Sequence, residues 1–273
     1  MTSSTIYSPA SAGPRAGSST RADGDDGLDS SAGKVLALLG AFGRPKAVMG
    51  VTELAQIVGL PKSTAHRLLS VMVASGFVNR TGSRYALTDR MFEVGNSVGS
   101  NTIRATGLRR RAMPYMTELH ASSLDTVHLA TLTGTDVLYL EKLFGHFDVR
   151  GPTAVGGRRP AYATALGKVM LAFSDDTVRE SNLRAPMRRF TPHTTPSAVA
   201  LEQELFRIHG DGFAFDRGEL VPEMHCIAVP ILDPRTSIAV AALSICSFRH
   251  RKLERHAPAL RKAAKEIGQH IAL

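Results

Sequence analysis

Within GLPKSTAHRLLSVM, residues 59–72, five side chains that could meet a polyanion fall inside six positions: Lys62, Ser63, Thr64, His66 and Arg67. Serine and threonine hydroxyls bond phosphate oxygens or base edges, and an arginine fork matches guanine in two bonds. Behind them Ala65, Leu68, Leu69, Met72 and Val73 repeat at helical spacing, so the opposite face is buried. Gly59 and Pro61 mark the end of one element and the start of the next. Cations near the positive end of a helix dipole are mildly unfavourable unless an anion offsets them. Taken alone, the stretch reads either as a solvated face or as a face built for an anion. Arg80 and Arg84 flank a second basic point at Thr81-Gly82-Ser83.

Other reactive types lie in the second half. Cys226 follows His225, a pairing that suggests a thiol nucleophile. Neighbours on a strand point to opposite faces, however, so the two side chains should not meet. Apolar Ile227-Ala228-Val229 follows, which makes a plain buried thiol the expected state of Cys226. A metal-responsive site from His225, Cys226 and Asp216 has poor ligand spacing. The chain's two cysteines, Cys226 and Cys246, cannot build a disulfide framework or a cysteine-rich zinc site, which fits a reducing cytoplasm. Neither a cofactor nor a metal is expected. Thr164 reads as an N-cap that turns the amides of Ala165, Leu166 and Gly167 outward, a seat for a carboxylate.

The elements that position these groups follow from the pattern. Residues 1–30, rich in Ser, Ala and Gly with acids at Asp23, Asp25, Asp26 and Asp29, read as a flexible tail. A helix over Lys34–Phe42 ends at Gly43-Arg44-Pro45, and Thr52 with Glu53 behind it caps a second helix ending at Gly59. The 59–74 helix follows, then strands over Phe77–Arg80 and Arg84–Leu87 form a hairpin. Helix, helix, short turn, helix and hairpin is the winged helix-turn-helix layout, which carries its last helix into the DNA major groove N-terminus first. That placement turns the basic start of the stretch toward DNA. Between residues 34 and 90, eight Lys/Arg (34, 44, 46, 62, 67, 80, 84, 90) stand against Glu53 and Asp89, a net of +6 within a chain total of +9.

Helices over Asp89–Ser100 and Thr106–Ala121 connect the halves, the latter interrupted or started near Pro114. Beyond Leu124, strands alternate in DTVHLATLTG and DVLYLEKLFG about Gly134-Thr135. A helix over Thr164–Phe173, shorter helical pieces to Gly210, strands over Phe213–Asp216, Ile227–Leu232 and Ile238–Ser247, and a helix over Lys252–Ala272 complete an α+β domain. The division is 1–30 tail, 31–90 DNA-binding domain, 91–121 connector and 122–273 sensing domain. No apolar run approaches the roughly 20 residues of a membrane helix, and no secretory signal is visible, so the expected place is the cytoplasm.

The stretch GVTELAQIVGLPKSTAHRLLSVMVASGFV with SRYALT resembles the DNA-binding half of the IclR-type bacterial transcription regulators. VGGRRPAYATALGKVMLAF and the run from FAFD through CIAVPI to AALSI are similar to that family's effector domain. The resemblance runs from Lys34 to the C-terminus and implies a GAF-like sensing fold, homodimers or dimers of dimers, and a small organic effector, an acid or an aromatic compound. It further implies a ligand-responsive regulator, in most cases a repressor, on a pseudo-palindromic double-stranded operator. The DNA-contacting set is then Thr52, Lys62, Ser63, Thr64, His66, Arg67, Arg80 and Arg84, and Ala165, Leu166, Asp216, Cys226, Ser244 and Cys246 lie about the effector cavity. Gly218, Glu223 and Cys246 depart from the family's usual residues there. The rival readings are an enzyme using Cys226 and a DNA-packaging protein without sequence preference.

Overall fold

The computed structural model describes residues 30–43, 48–101, 105–146, 153–248 and 252–271. Residues 1–29 of the tail expected over 1–30, the helix stop at Arg44-Pro45 and the end of the last helix at Ala272 lie outside them, while Ser30, the last residue of that expected tail, is ordered as a helix cap. The chain divides into two compact units between Thr88 and Asp89.

Among its described residues the first unit is a three-helix winged fold. Helix α1, Ser31–Ala41, starts earlier than its apolar pattern suggests because the Ser30 hydroxyl accepts the Gly33 amide at 2.9 Å. A short strand β1, Val48–Gly50, leads directly into α2, Val51–Val58. Gly50 is the cap of α2, without a side-chain bond, so Thr52 is not the N-cap but the second helical residue, exposed to solvent. Gly59 takes the left-handed conformation (φ 67°) that ends α2 and lets Leu60 turn toward α3, Lys62–Ala74. Strands β2, Val78–Thr81, and β3, Arg84–Leu87, form the wing, with β1 added on the far side of β3. Leu38, Met49, Leu54, Ala65, Leu69 and Tyr85 close the core. Strand β1 escapes the sequence pattern because three residues show no alternation.

The second unit opens with α4, Asp89–Asn101, and α5, Ala105–Ser123. Helix α5 runs unbroken through Pro114, correcting the expected interruption; Leu108, Ala112, Met116 and Leu119 bury one face of it against the sheet. Among the described residues six antiparallel strands follow: β4 (Thr126–Thr133), β5 (Asp136–Leu143), β6 (Arg158–Pro160), β7 (Ala214–Arg217), β8 (His225–Leu232) and β9 (Ala239–Ser247). Their order is β6-β5-β4-β9-β8-β7. Gly134 at φ 62° makes the tight β4–β5 turn. Helices α6 (Ala165–Ala172), α7 (Asp176–Arg184) and α8 (Ala198–Asp211) lie between β6 and β7 in sequence, and α9 (Ala257–Ile271) closes the chain.

Alternation along the strands separates two cores. Val127, Leu129, Ile227, Val229, Leu243 and Ile245 pack against α5 and α9. Ala130, Tyr139, Cys226, Ala228, Ala242 and Cys246 face α6 and α8. This is an α+β unit whose antiparallel sheet is flanked by helices, as the pattern predicts.

Candidate nucleic-acid interface and ligand pocket

On α3 the apolar residues Ala65, Leu68, Leu69 and Met72 are buried, so their spacing turns the basic residues outward. Lys62, Ser63, His66 and Arg67 form one exposed stripe on the first two turns, and Thr64 is half-buried beside it. The His66 ring is in solvent rather than against the wing. Both wing arginines are exposed. Arg80 Nε donates to the Gly82 carbonyl at 3.0 Å and its guanidinium lies 5.8 Å from the Tyr85 ring centre. Arg84 reaches back to the Val48 carbonyl at 3.5 Å, which ties it to β1 rather than to the wing tip.

The sensing unit gathers its polar groups as rungs across the sheet. Asp216 (β7), Cys226 (β8), Cys246 (β9) and Thr126 (β4) are successive register partners. The next rung on the same face runs Ala214, Ala228, Ser244, His128 and Lys142. Asp216, Cys226, Ser244 and Cys246 therefore share the face that Ala165 and Leu166 of α6 cover. Cys226 and Cys246 are not free thiols. They are joined by a disulfide, with Cα atoms 4.1 Å apart, because the register sets them opposite each other on neighbouring strands. Spacing in sequence could not reveal that pairing without the strand register.

Helix α6 is capped as expected, but the cap itself takes the Gly167 amide: Thr164 Oγ1 accepts it at 3.0 Å. Of the three amides expected to face a ligand, those of Ala165 and Leu166 remain for that role. A Cβ on Gly167 would fall against the backbone of Ala161, so this helix start fits only glycine. Gly167→Ala should cost about 2 kcal/mol in the second unit, read from the denaturant midpoint.

Several groups in this region are not evident from motif spacing. Buried His128 places Nε2 2.9 Å from Thr153 Oγ1 and Nδ1 3.5 Å from Ser244 Oγ, with its ring edge-on to Tyr139. Burial first, and the nearby Lys142 ammonium second, push its pKa down to about 3, so the ring is neutral. Lys142 donates to the Thr153 carbonyl at 3.1 Å. Asp216 accepts the Glu219 amide at 2.7 Å, and burial pushes its carboxyl up to about 7. Lys168, fully buried in α6, donates to Glu204 of α8 at 2.6 Å and to Glu219 at 2.5 Å. Thr195 Oγ1 lies 3.3 Å and 3.2 Å from the same carboxylates. A lone Lys in the apolar run ALGKVMLA, and a His at an inward position of β4, were the signals available in sequence.

Gly218 also finds its reason here. It sits at φ 81°, and a Cβ would collide with the Pro222 carbonyl, so a turn occupies the position where the family often has an acid. Glu223 is exposed to solvent. Three clefts of this unit, 510 Å³ beside Phe173 and His209, 420 Å³ beside Asp233 and Arg261 and 510 Å³ beside Thr135 and Glu180, are lined by no rung residue. Asp216, Ser244 and His128 are at most 2% exposed, so this polar cluster is closed to solvent.

A winged helix-turn-helix with a basic reading helix, followed by a sheet domain with a buried polar cluster, defines a ligand-responsive transcription regulator. The chain belongs to the IclR family: residues 31–82 match the IclR helix-turn-helix domain and residues 100–273 match the bacterial transcriptional regulator IclR C-terminal domain. The HTH-type transcriptional regulator KdgR of Escherichia coli is 34% identical over 246 residues, covering 88% of this chain and 91% of that one. The transcriptional repressor IclR of the same organism is 30% identical, covering 80% and 81%. An IclR homolog from Microbacterium hydrocarbonoxydans, solved in complex with 4-hydroxybenzoate, superposes with a TM-score of 0.78 at 29% identity, covering 89% of this chain and 99% of that one.

Proposed function

We propose that the protein is a cytoplasmic repressor acting as a homodimer or a dimer of dimers. It places two α3 helices on a pseudo-palindromic operator one helical turn apart, or a multiple of it. The supporting observation is the exposed stripe Lys62, Ser63, His66 and Arg67 at the N-terminal end of the helix-turn-helix motif's second helix. Thr52, half-buried Thr64, Arg80 and Arg84 serve as flanking contacts to the backbone. A small organic acid or aromatic compound is the effector, held by the Ala165 and Leu166 amides with Ser244, Asp216, Cys226 and Cys246 around it. Binding repacks the β8–β9 floor, shifts the α4–α5 connector and alters the spacing of the two reading helices. The ligand moves that equilibrium only through its unequal affinity for the two states. Such a ligand must open a closed site, which couples its binding to a shape change.

We read the chain as a regulator and not as an enzyme: strand alternation turns His225 to the face opposite Cys226, so the two side chains do not form a nucleophile pair. The test is footprinting on the DNA upstream of its own reading frame, with and without 4-hydroxybenzoate as a probe and a panel of other small organic acids. Two protected half-sites, and an acid that changes their occupancy, are expected. Arg67→Ala should weaken protection by about tenfold or more. Uniform protection without half-sites would overturn the reading in favour of non-specific binding.

A further inference from the structure

The disulfide sits in the floor of the ligand site. Cys226 and Cys246 are the chain's two cysteines, direct partners on β8 and β9, 5% and 7% exposed, with Asp216 on the same rung. The Ser244 hydroxyl lies 3.7 Å from the Cys246 sulfur. A DNA-binding regulator works in the compartment that holds the DNA, where thiols are kept reduced. Disulfides that form there are redox-sensing or catalytic rather than permanent staples. We infer that Cys226 and Cys246 form a redox-modification site that adds an oxidant signal to the ligand signal: a peroxide closes the bond, a small thiol reopens it, and the two forms bind operator DNA differently. The inference rests on the reading of this cavity as the effector site.

The chemistry balances with peroxide as oxidant. The Cys246 thiolate attacks one peroxide oxygen, the O–O bond breaks and hydroxide leaves, giving a sulfenic acid. The Cys226 sulfur then attacks the Cys246 sulfur, the S–S bond forms, and the sulfenic oxygen departs as water. Two thiols and one peroxide give one disulfide and two waters. Cys246 reacts first because the Ser244 hydroxyl can donate to its thiolate, whereas Cys226 faces the Asp216 carboxyl across its rung. Two sulfurs about 2 Å apart when bonded must move to ordinary non-bonded contact, about 3.5 Å or more, when reduced. With the strands fixed by their ladder, at least one of the two side chains must turn away from the other and repack its neighbours in the core. The reduced site therefore has a different shape and offers thiol donors that the oxidised site lacks.

The experiment equilibrates the full chain across a series of reduced-to-oxidised glutathione ratios, quenches with maleimide and counts free thiols by intact mass. Fluorescence anisotropy on the DNA upstream of its own reading frame reads operator affinity in the same samples. We expect one two-electron transition within the ratios of a reducing bacterial cytosol. Operator affinity should change about tenfold across it. In Cys246→Ala the ratio of affinities under oxidising and reducing conditions should fall to one; the wild-type transition carries the test even if that variant folds poorly. A bond that never opens or never closes across the series overturns the inference, as does an affinity that stays constant while the thiols interconvert. Failure to bind the DNA in either form would overturn the regulator reading itself, and the redox effect on operator binding with it.

Discussion

Lys168→Met should lower the stability of the second unit by about 3–5 kcal/mol, because it leaves two carboxylates without their shared cation. Lys168 is fully buried, while the Glu219 and Glu204 side chains are 8% and 25% exposed. Removing the ammonium strands Glu219 in a site where burial already raises its pKa and Lys168 is the leading influence that lowers it. The triad also joins three parts of the fold: α6, α8 and the turn after β7. The loop over Thr191–Thr195 is bonded to the same turn, with Thr191 Oγ1 donating to the Gly218 carbonyl at 2.7 Å and Thr194 Oγ1 to the Glu219 carbonyl at 2.6 Å. Denaturant unfolding followed by far-ultraviolet dichroism measures the loss. Adding Glu219→Gln to Lys168→Met should recover a large part of it, since the stranded charge is then gone. No recovery would mean that lost packing, not charge, sets the cost.

Opposite pH slopes are expected from the two buried titratable groups of the site. His128 has a folded pKa near 3 against an unfolded value of 6.5, so between those limits the unfolded state binds the extra proton. Its contribution is present above 6.5 and is lost as pH falls toward 3. Asp216 is the reverse case: its folded pKa is near 7 against 3.8, so the native state holds the extra proton in that window. Its contribution is present below 3.8 and is lost as pH rises toward 7. The two slopes oppose each other between about pH 4.5 and 6.5. Relative to wild type, Asp216→Asn should gain about 2–3 kcal/mol as pH rises through that window, and His128→Gln should lose a similar amount. Unfolding midpoints of the three proteins at pH 4.5, 5.5 and 6.5 measure it. Parallel curves for both variants would contradict the burial account of these groups.

Much of the reading unit is legible in its sequence because helix periodicity and turn chemistry act locally. Gly59 ends α2 as its position demands, and the apolar spacing of α3 turns Lys62, Ser63, His66 and Arg67 outward as expected. Errors occur where one local signal competes with another. Thr52 has the chemistry of a cap, but β1 runs straight into α2 and moves the helix start to Gly50. Pro114 has the chemistry of a break, yet packing on the sheet carries α5 through it. The buried polar cluster of the second unit is less legible because it is assembled by register. His128, Lys142 and Ser244 are neighbours only through the order β5-β4-β9, and the Cys226–Cys246 bond depends on the pairing of β8 with β9. Lys168 meets Glu219 across 51 positions of sequence, a contact no local pattern contains.

The central claim is that the exposed start of α3 reads a particular DNA sequence. Its most direct test is fluorescence anisotropy of the full chain on its own upstream DNA and on a shuffled copy, across a salt series. The account predicts a preference for the native sequence of roughly a thousandfold or more at physiological salt. Equal affinity for both DNAs, falling steeply and in parallel with salt, would contradict it: the basic face would then bind phosphate without reading bases.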